Sequence, residues 1–429
     1  MKLFENPKRQ DWVDILKRPT KTVEDIEATV IEVFNTIEET GDIAVKNYTS
    51  KFDNVDVDNI EVSFDDILAA KSKLSEELKE AIQFAKSNIS KFHSAQKTDR
   101  LSVETTKGVI CWQEKRAIDK VGLYIPGGTA PLFSTILMLA IPAKIAGCRD
   151  IILCTPPNKE GKVADEILYT AQLCGINKVL KVGGIQAIAG MTFGTESIPK
   201  VYKIFGPGNQ YVTVAKQLAT KYGVAIDMPA GPSELMIVAD DSANARYVAS
   251  DLLSQAEHGT DSQVILVTNS KTLLEEVSLE VKNQILDLPR KTIVEQAIKN
   301  SKTILFDNDM YNLLDIINVY APEHLILVVK DEDYFTYNIR NAGSVFIGNY
   351  TPESAGDYAS GTNHTLPTNG FSKAYSGVNL DSFQKSITFQ KISKKGIQNI
   401  GNVIELMAEA EGLQAHKNAV TLRLKDLES

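Results

Sequence analysis

The chain holds five histidines, His93, His258, His324, His364 and His416, and four of them sit beside other groups that ligate metals or move protons. Gln255-Ala-Glu-His258 closes a helical stretch that starts near Asn244, with Gly259 as its stop. Spacing of three puts Gln255 and His258 on one helical face. An imidazole and, less commonly, an amide oxygen there could share a zinc ion. The other reading is a helix-end histidine bonded to solvent. Glu323-His324 follows Tyr-Ala-Pro322 and precedes the apolar run LILVV. Neighbours on extended backbone point to opposite sides, but a loop can aim both at one cavity. His and Glu are the usual general bases. A plain surface turn is the alternative. Asp357 and His364 lie in NYTPESAGDYASGTNHTLPTNG, which has little means to form a core element. Long structured loops in compact enzymes tend to carry function, so a metal or substrate site competes here with a mobile surface loop. Glu411 suits a helix N-terminus electrostatically, and His416 follows on the next helix as a ligand or a partly buried histidine. Ser233 precedes the strand-like run ELMIVAD, where its hydroxyl either touches a ligand or satisfies a turn.

These residues need a scaffold, and the middle of the chain offers one. Short β-rich runs at 121–127, 150–157, 178–184, 201–208, 235–240 and 263–268 alternate with helical stretches. Such alternation predicts βαβ units and a mainly parallel sheet, covered on both faces. Three of the turns that follow β-runs are rich in glycine: Tyr124-Ile-Pro-Gly127-Gly128-Thr129, Gly183-Gly184-Ile-Gln186 and Gly206-Pro-Gly208-Asn209. Ligands of open α/β sheets sit beyond the carboxyl ends of the strands, where glycine lets the backbone approach a phosphate. None of the three is GxGxxG, and each alone is consistent with a tight turn. The first hundred residues and the last fifty read as helical, from apolar spacings of three and four.

Composition bounds the classes. A length of 429 residues allows two or three domains, and 43% hydrophobic with 24% charged residues suits a globular enzyme. A net charge of -9 without a basic cluster argues against a nucleic-acid partner. The N-terminus lacks the apolar core of a signal peptide, and no apolar run is long enough to span a bilayer, so no membrane partner is expected and a cytoplasmic location is. Cys111, Cys148, Cys154 and Cys174 form no CxxC pair and read as small hydrophobes in a reducing compartment rather than catalytic thiols.

Seven segments together resemble the histidinol dehydrogenase family over essentially the whole chain: VGLYIPGGTAPLFSTILMLAIPAKIAGC, KIFGPGNQYVTVAKQ, IDMPAGPSELMIVAD, DLLSQAEHG, YAPEHL, NAGSVFIGNYTPESAGDYASGTNHTLPT and EGLQAHKNAVTLRL. The resemblance implies two NAD-linked oxidations of L-histidinol, through L-histidinaldehyde to L-histidine. It implies one zinc ion per subunit, held by Gln255, His258, Asp357 and His416. His324 would be the general base, and Glu323 would activate water. Ser233, His364 and Glu411 would join the zinc ligands and His324 around the substrate, and Tyr124, Gln186 and Asn209 would contact NAD. The implied assembly is a homodimer, with Glu411 and His416 reaching the partner's site. The implied fold is α/β, with two incomplete Rossmann-like domains in an aldehyde dehydrogenase-like architecture and helical additions at both ends. Its expected parts are an N-terminal extension over 1–20 that packs with the C-terminal region, a main α/β domain over 21–122 and 232–380, an inserted NAD-binding domain over 123–231, and a C-terminal helical dimerisation region over 381–429. The competing readings are a relative acting on another small alcohol, a thiol-based aldehyde dehydrogenase and a non-catalytic zinc-binding protein.

Overall fold

The computed structural model describes residues 1–18, 24–127, 131–307 and 309–428; Gly128 and Thr129 of the first glycine-rich turn lie outside them. The described strands are β1 (Lys2–Glu5), β2 (Leu101–Thr106), β3 (Val109–Ala117), β4 (Lys120–Tyr124), β5 (Asp150–Thr155), β6 (Lys178–Lys181), β7 (Lys203–Phe205), β8 (Ala225–Ile226), β9 (Glu234–Ala239), β10 (Gln263–Thr268), β11 (Lys302–Leu305), β12 (His324–Val328), β13 (Ser344–Ile347) and β14 (Gln384–Ile392). They divide between two compact units: residues 1–96 with 118–382, and 97–117 with 383–429.

The larger unit contains two parallel sheets. One has the order β6-β5-β4-β7-β8, the other β1-β11-β10-β9-β12-β13. Each is an incomplete Rossmann-like sheet. The third, second, first, fourth and fifth strands lie side by side, and the order reverses beside β4 in one sheet and β9 in the other. In the second sheet β1 adds an edge strand outside β11, so the N-terminal stretch, read as helical, begins in a sheet.

The sequence builds these sheets through two-sided burial. Every residue of β9, β10 and β12 is buried. Side chains alternate across a strand. Leu235, Ile237 and Ala239 therefore face a core with Val248, Leu252 and Val277, while Met236 and Val238 face one with Trp12, Ile317 and Tyr320. A third core joins Ile152, Cys154 and Leu180 of the other sheet to the helices Glu24–Thr40 and Gly184–Phe193. The helical reading of the first hundred residues is broken between the helices Phe64–Ala70 and Glu76–Ser94, where the Ser75 hydroxyl accepts the Leu78 N–H at 3.2 Å and starts the second.

The smaller unit pairs β14 with β3 and β3 with β2, all antiparallel, and adds the helices Lys394–Ala410 and Gln414–Glu428. The last fifty residues are thus not wholly helical. The β-favouring run Ile387-Thr-Phe389 lies in β14, and Phe389 stacks on Trp112 with centroids 5.2 Å apart.

Candidate active site

The helix Met310–Tyr320 ends at Ala321, which takes the left-handed conformation (φ 55°, ψ 67°) and donates its N–H to the Ile317 oxygen at 2.7 Å. Pro322 cannot continue the helix. The chain turns there and delivers Glu323 and His324 to the amino end of β12, both buried. The two side chains stay close despite being sequence neighbours, with His324 Nδ1 3.6 Å from Glu323 Oε2. Glu323 Oε2 also accepts the Glu234 N–H at 2.8 Å, and His324 Nδ1 lies 3.2 Å from the Glu234 backbone oxygen. A carbonyl only accepts, so the imidazole proton belongs on Nδ1. His324 Nε2 is left buried without a hydrogen-bond partner.

Other groups gather here. The helix Ala245–Ala256 is started by the Asn244 side chain, which accepts the Arg246 N–H, and is capped by Glu257 rather than stopped by Gly259. It brings Gln255, fully buried, to this end of the sheet, with His258 in the turn beyond. With its amide oriented by its neighbours, Gln255 donates to the Glu353 carboxylate and accepts the Glu234 N–H at 3.1 Å. Glu353 and Asp357 stand four apart on the short helix Glu353–Tyr358, and Glu353 Oε1 is 3.4 Å from His324 Nδ1. Ligand atoms of His324, Glu353 and Asp357 all lie within 4.8 Å of one another. His364 Nδ1 lies 2.9 Å from the Asp357 backbone oxygen, and Nε2 lies 3.1 Å from Thr135 Oγ1. Ser233, half-buried, accepts the Gln263 N–H through its backbone oxygen at 3.1 Å.

Burial dominates the electrostatics. It lowers the His324 imidazole to about 3, partly offset by the Glu234 carbonyl and reinforced by His258 and His364. His364 falls to about 4 for the same first cause. His258 is exposed, yet lost hydration still lowers its imidazole, against the pull of Asp357. Asp357 is raised to about 6 by burial, and Glu323 and Glu353 are pushed well above the usual carboxylate range. Neutral imidazoles stand beside crowded carboxyls here, a set of metal-ligand types. That chemistry fits a divalent metal such as zinc. Glu411 and His416 belong to the smaller unit and are exposed there. Glu411 caps the end of the helix Lys394–Ala410 rather than starting a helix; the following helix begins at Gln414 and carries His416.

A second site lies at the carboxyl ends of β4 and β7, the switch point of the other sheet. Tyr124, Gln186 and Asn209 line one cavity of about 770 Å³, with Asp53 and Gly127. Tyr124 closes β4 and its hydroxyl accepts the Gly184 N–H at 3.2 Å. Gly184 opens a helix at φ 56°, which glycine adopts without strain. Asn209 caps the helix Gln210–Lys221 by accepting the Val212 N–H at 3.1 Å. Gln186 donates to Asp53 Oδ2 at 3.1 Å, and its own Oε1 is buried without a partner. Burial raises Asp53 to about 6. The cavity, the helix N-termini and the orphaned amide oxygen fit a dinucleotide. The two sites obey different rules, since the Glu323–His324 group sits at the amino, not the carboxyl, ends of its strands.

Sequence reasoning passed over Arg18, Asp53, Glu234 and Glu353. Only Glu353 carried a local signal, its four-residue spacing from Asp357. The thiols give no support to cysteine chemistry: burial pushes Cys148 up to about 11, Cys174 up to about 12 and Cys154 upward too, the reverse of activation.

A model of the histidinol dehydrogenase family matches residues 16–424. A histidinol dehydrogenase of Bacteroides fragilis is 57% identical over 427 residues, covering 100% of both chains. The chloroplastic histidinol dehydrogenase of Arabidopsis thaliana is 51% identical over 421 residues, covering 97% of this chain and 90% of its own. The crystal structure of histidinol dehydrogenase from Elizabethkingia anophelis superposes with a TM-score of 0.97 at 56% identity, covering 100% of this chain and 99% of that one. The chain belongs to the histidinol dehydrogenase family and is an oxidoreductase.

Proposed function

We propose that this chain oxidises L-histidinol through L-histidinaldehyde to L-histidine, the last step of histidine biosynthesis, with zinc and NAD. The observation that carries the reading is His324, buried, neutral and with Nε2 unpartnered. Full-length likeness to histidinol dehydrogenases supports it.

Gln255, His258, Asp357 and His416 would hold zinc, which supplies a template for the substrate's nitrogens when bound. The Gln255 oxygen can serve because a carbonyl has a second lone pair beyond the one used by Glu234. Ser233, His364 and Glu411 would orient the substrate. Tyr124, Gln186 and Asn209 would bind NAD, the hydride acceptor in both oxidations. In the first, His324 removes the alcohol proton through Nε2. Glu323 then takes a proton from water as the water adds to the aldehyde, and protonated His324 gives its proton to the carbonyl oxygen, which forms the hydrate and restores the base. His324 removes the hydroxyl proton of the hydrate in the second. Burial of this pair keeps the aldehyde away from bulk solvent.

Glu411 and His416 would complete the site in the partner subunit of a homodimer. A cytoplasmic location belongs to the same proposal; among the described residues no helix is long and apolar enough to cross a membrane.

The test is NADH yield from limiting L-histidinol with excess NAD and zinc-loaded protein. The reading requires about two NADH per histidinol, the stoichiometry of a four-electron oxidation, with histidine as product. A yield of one NADH would remove the second oxidation, and no NADH would remove the substrate.

A further inference from the structure

Glu234 opens β9, and its main chain touches both reacting groups. Its N–H donates to Glu323 Oε2 at 2.8 Å, and its carbonyl faces His324 Nδ1 at 3.2 Å. The same N–H also meets the Gln255 amide oxygen. Whatever fixes this residue therefore fixes the water-activating carboxyl and the base together.

The fixing group is far away in sequence. Arg18 donates from Nε to Glu234 Oε1 at 2.5 Å and from Nη2 to Oε2 at 2.9 Å, a two-point grip that a planar guanidinium makes and an ammonium cannot. Asn369 N–H adds a third bond to Oε1 at 2.8 Å. Arg18 is itself held, because Nη2 donates to the Tyr320 oxygen at 2.9 Å and the guanidinium carbon sits 4.0 Å from the Tyr320 ring centroid. The Tyr320 hydroxyl donates to Gln263 Oε1 at 2.8 Å, and Gln263 pairs with Glu234 across β9 and β10. The pair's side chains are only 16% and 3% exposed. A pair so buried is often no more stabilising than apolar residues of the same size. Its distinctive product is geometry.

We propose that Arg18 is a positioning residue for the reaction: its two-point grip on the Glu234 carboxylate sets the peptide that aims Glu323 and His324. This rests on the roles assigned to that pair above. Arg18 hydrogen-bonds neither of them and acts on them through Glu234.

The decisive variant is Arg18→Lys, which keeps the charge and loses the fork. In zinc-loaded protein, kcat for histidinol oxidation should fall roughly 10- to 100-fold, the scale of a misplaced catalytic group. KM should stay within about twofold, because substrate contacts remain. In Arg18→Ala, millimolar guanidinium should restore part of kcat and methylammonium should not. If Arg18→Ala does not fold, Arg18→Lys alone carries the kinetic arm. A second readout needs no turnover. The ¹⁵N shifts of His324 should report a proton on Nδ1 in the parent protein and a mixture of tautomers in Arg18→Lys. A folded Arg18→Lys protein with parental kcat overturns the proposal. A parent protein without histidinol oxidation overturns the functional reading instead. In that case unchanged tautomers in Arg18→Lys overturn the grip, and a mixture upholds it.

Discussion

His324 Nδ1 sits 3.2 Å from the backbone oxygen of Glu234, and this one contact decides which ring nitrogen can act as a base. The proton is committed to Nδ1, so Nε2 keeps its lone pair, buried and unpartnered. His324→Asn retains a polar group of similar reach but no titratable nitrogen. The expected result is a loss of kcat of about 10²- to 10⁴-fold, the usual worth of a general base, with little change in bound zinc. Turnover within twofold of the parent would show that another group takes the proton.

Glu323 is assigned to water, so its removal should divide the two half-reactions. Glu323→Gln keeps the acceptor for the Glu234 N–H at this position and removes the base. Oxidation of added histidinaldehyde should slow at least about tenfold more than oxidation of histidinol, within the range expected of general base catalysis. Single-turnover rates from each substrate check this. Equal slowing would move Glu323 into a role shared by both steps.

How much of this the sequence disclosed depends on how local each signal is. The central strands β9, β10 and β12 were legible because burial on both faces leaves apolar runs such as LMIVA and LILV. Edge strands carry weaker patterns: β1, KLFE, and β14, QKSITFQKI, were read as helix, since period-2 pairing depends on the partner strand. The same divide runs through the sites. Glycine-rich turns and scarce histidines stood out unaided. Arg18 and Asp53 did not, because an exposed-looking charge becomes part of a site only when distant chain folds over it.

Metal removal is the next expectation. His258→Ala and Asp357→Asn should each lower zinc content measured on the isolated protein, while the parallel sheets persist by circular dichroism. For the parent, zinc at about 100 times its Kd should add about 2.7 kcal/mol to stability, read as a rise in Tm over chelator-treated protein. No rise would mean that the carboxyl and imidazole cluster holds no metal.

Asp53 should give cofactor binding a pH dependence. Its carboxyl is raised to about 6 by burial, so below that pH it is largely neutral and above it a negative charge faces the cavity. NAD carries negative phosphates. Its Kd should therefore rise as pH increases from 5 to 7, by about fivefold at low salt, the size of a screened charge term of about 1 kcal/mol. Asp53→Asn should flatten the profile. A flat profile in the parent protein, measured by titration calorimetry, would place the phosphates away from Asp53. For stability the sign runs the same way. The folded value lies above the unfolded one, so the neutral form is favoured in the fold, and stability falls as pH rises from about 4 to about 6.

The cofactor cavity also depends on a buried ion pair. Lys216 Nζ lies 2.5 Å from Asp227 Oδ1, with side chains 3% and 1% exposed. Lys216 also donates to the Gly206 oxygen at 2.8 Å, and Asp227 Oδ2 accepts the Gly206 N–H at 2.8 Å. Together they clamp Gly206 from both sides at the end of β7. No other residue fits there, since φ is 129° and a Cβ would strike the Tyr124 oxygen. Lys216→Met keeps the volume but leaves the Asp227 carboxylate buried without its counter-charge. The expected cost is about 3–5 kcal/mol, read as a lower urea midpoint with an unchanged m-value. NAD affinity should weaken as well, because the freed turn lies between Tyr124 and Asn209. Lost stability with unchanged NAD affinity would confine the pair to the core and leave the shape of the cavity to other contacts.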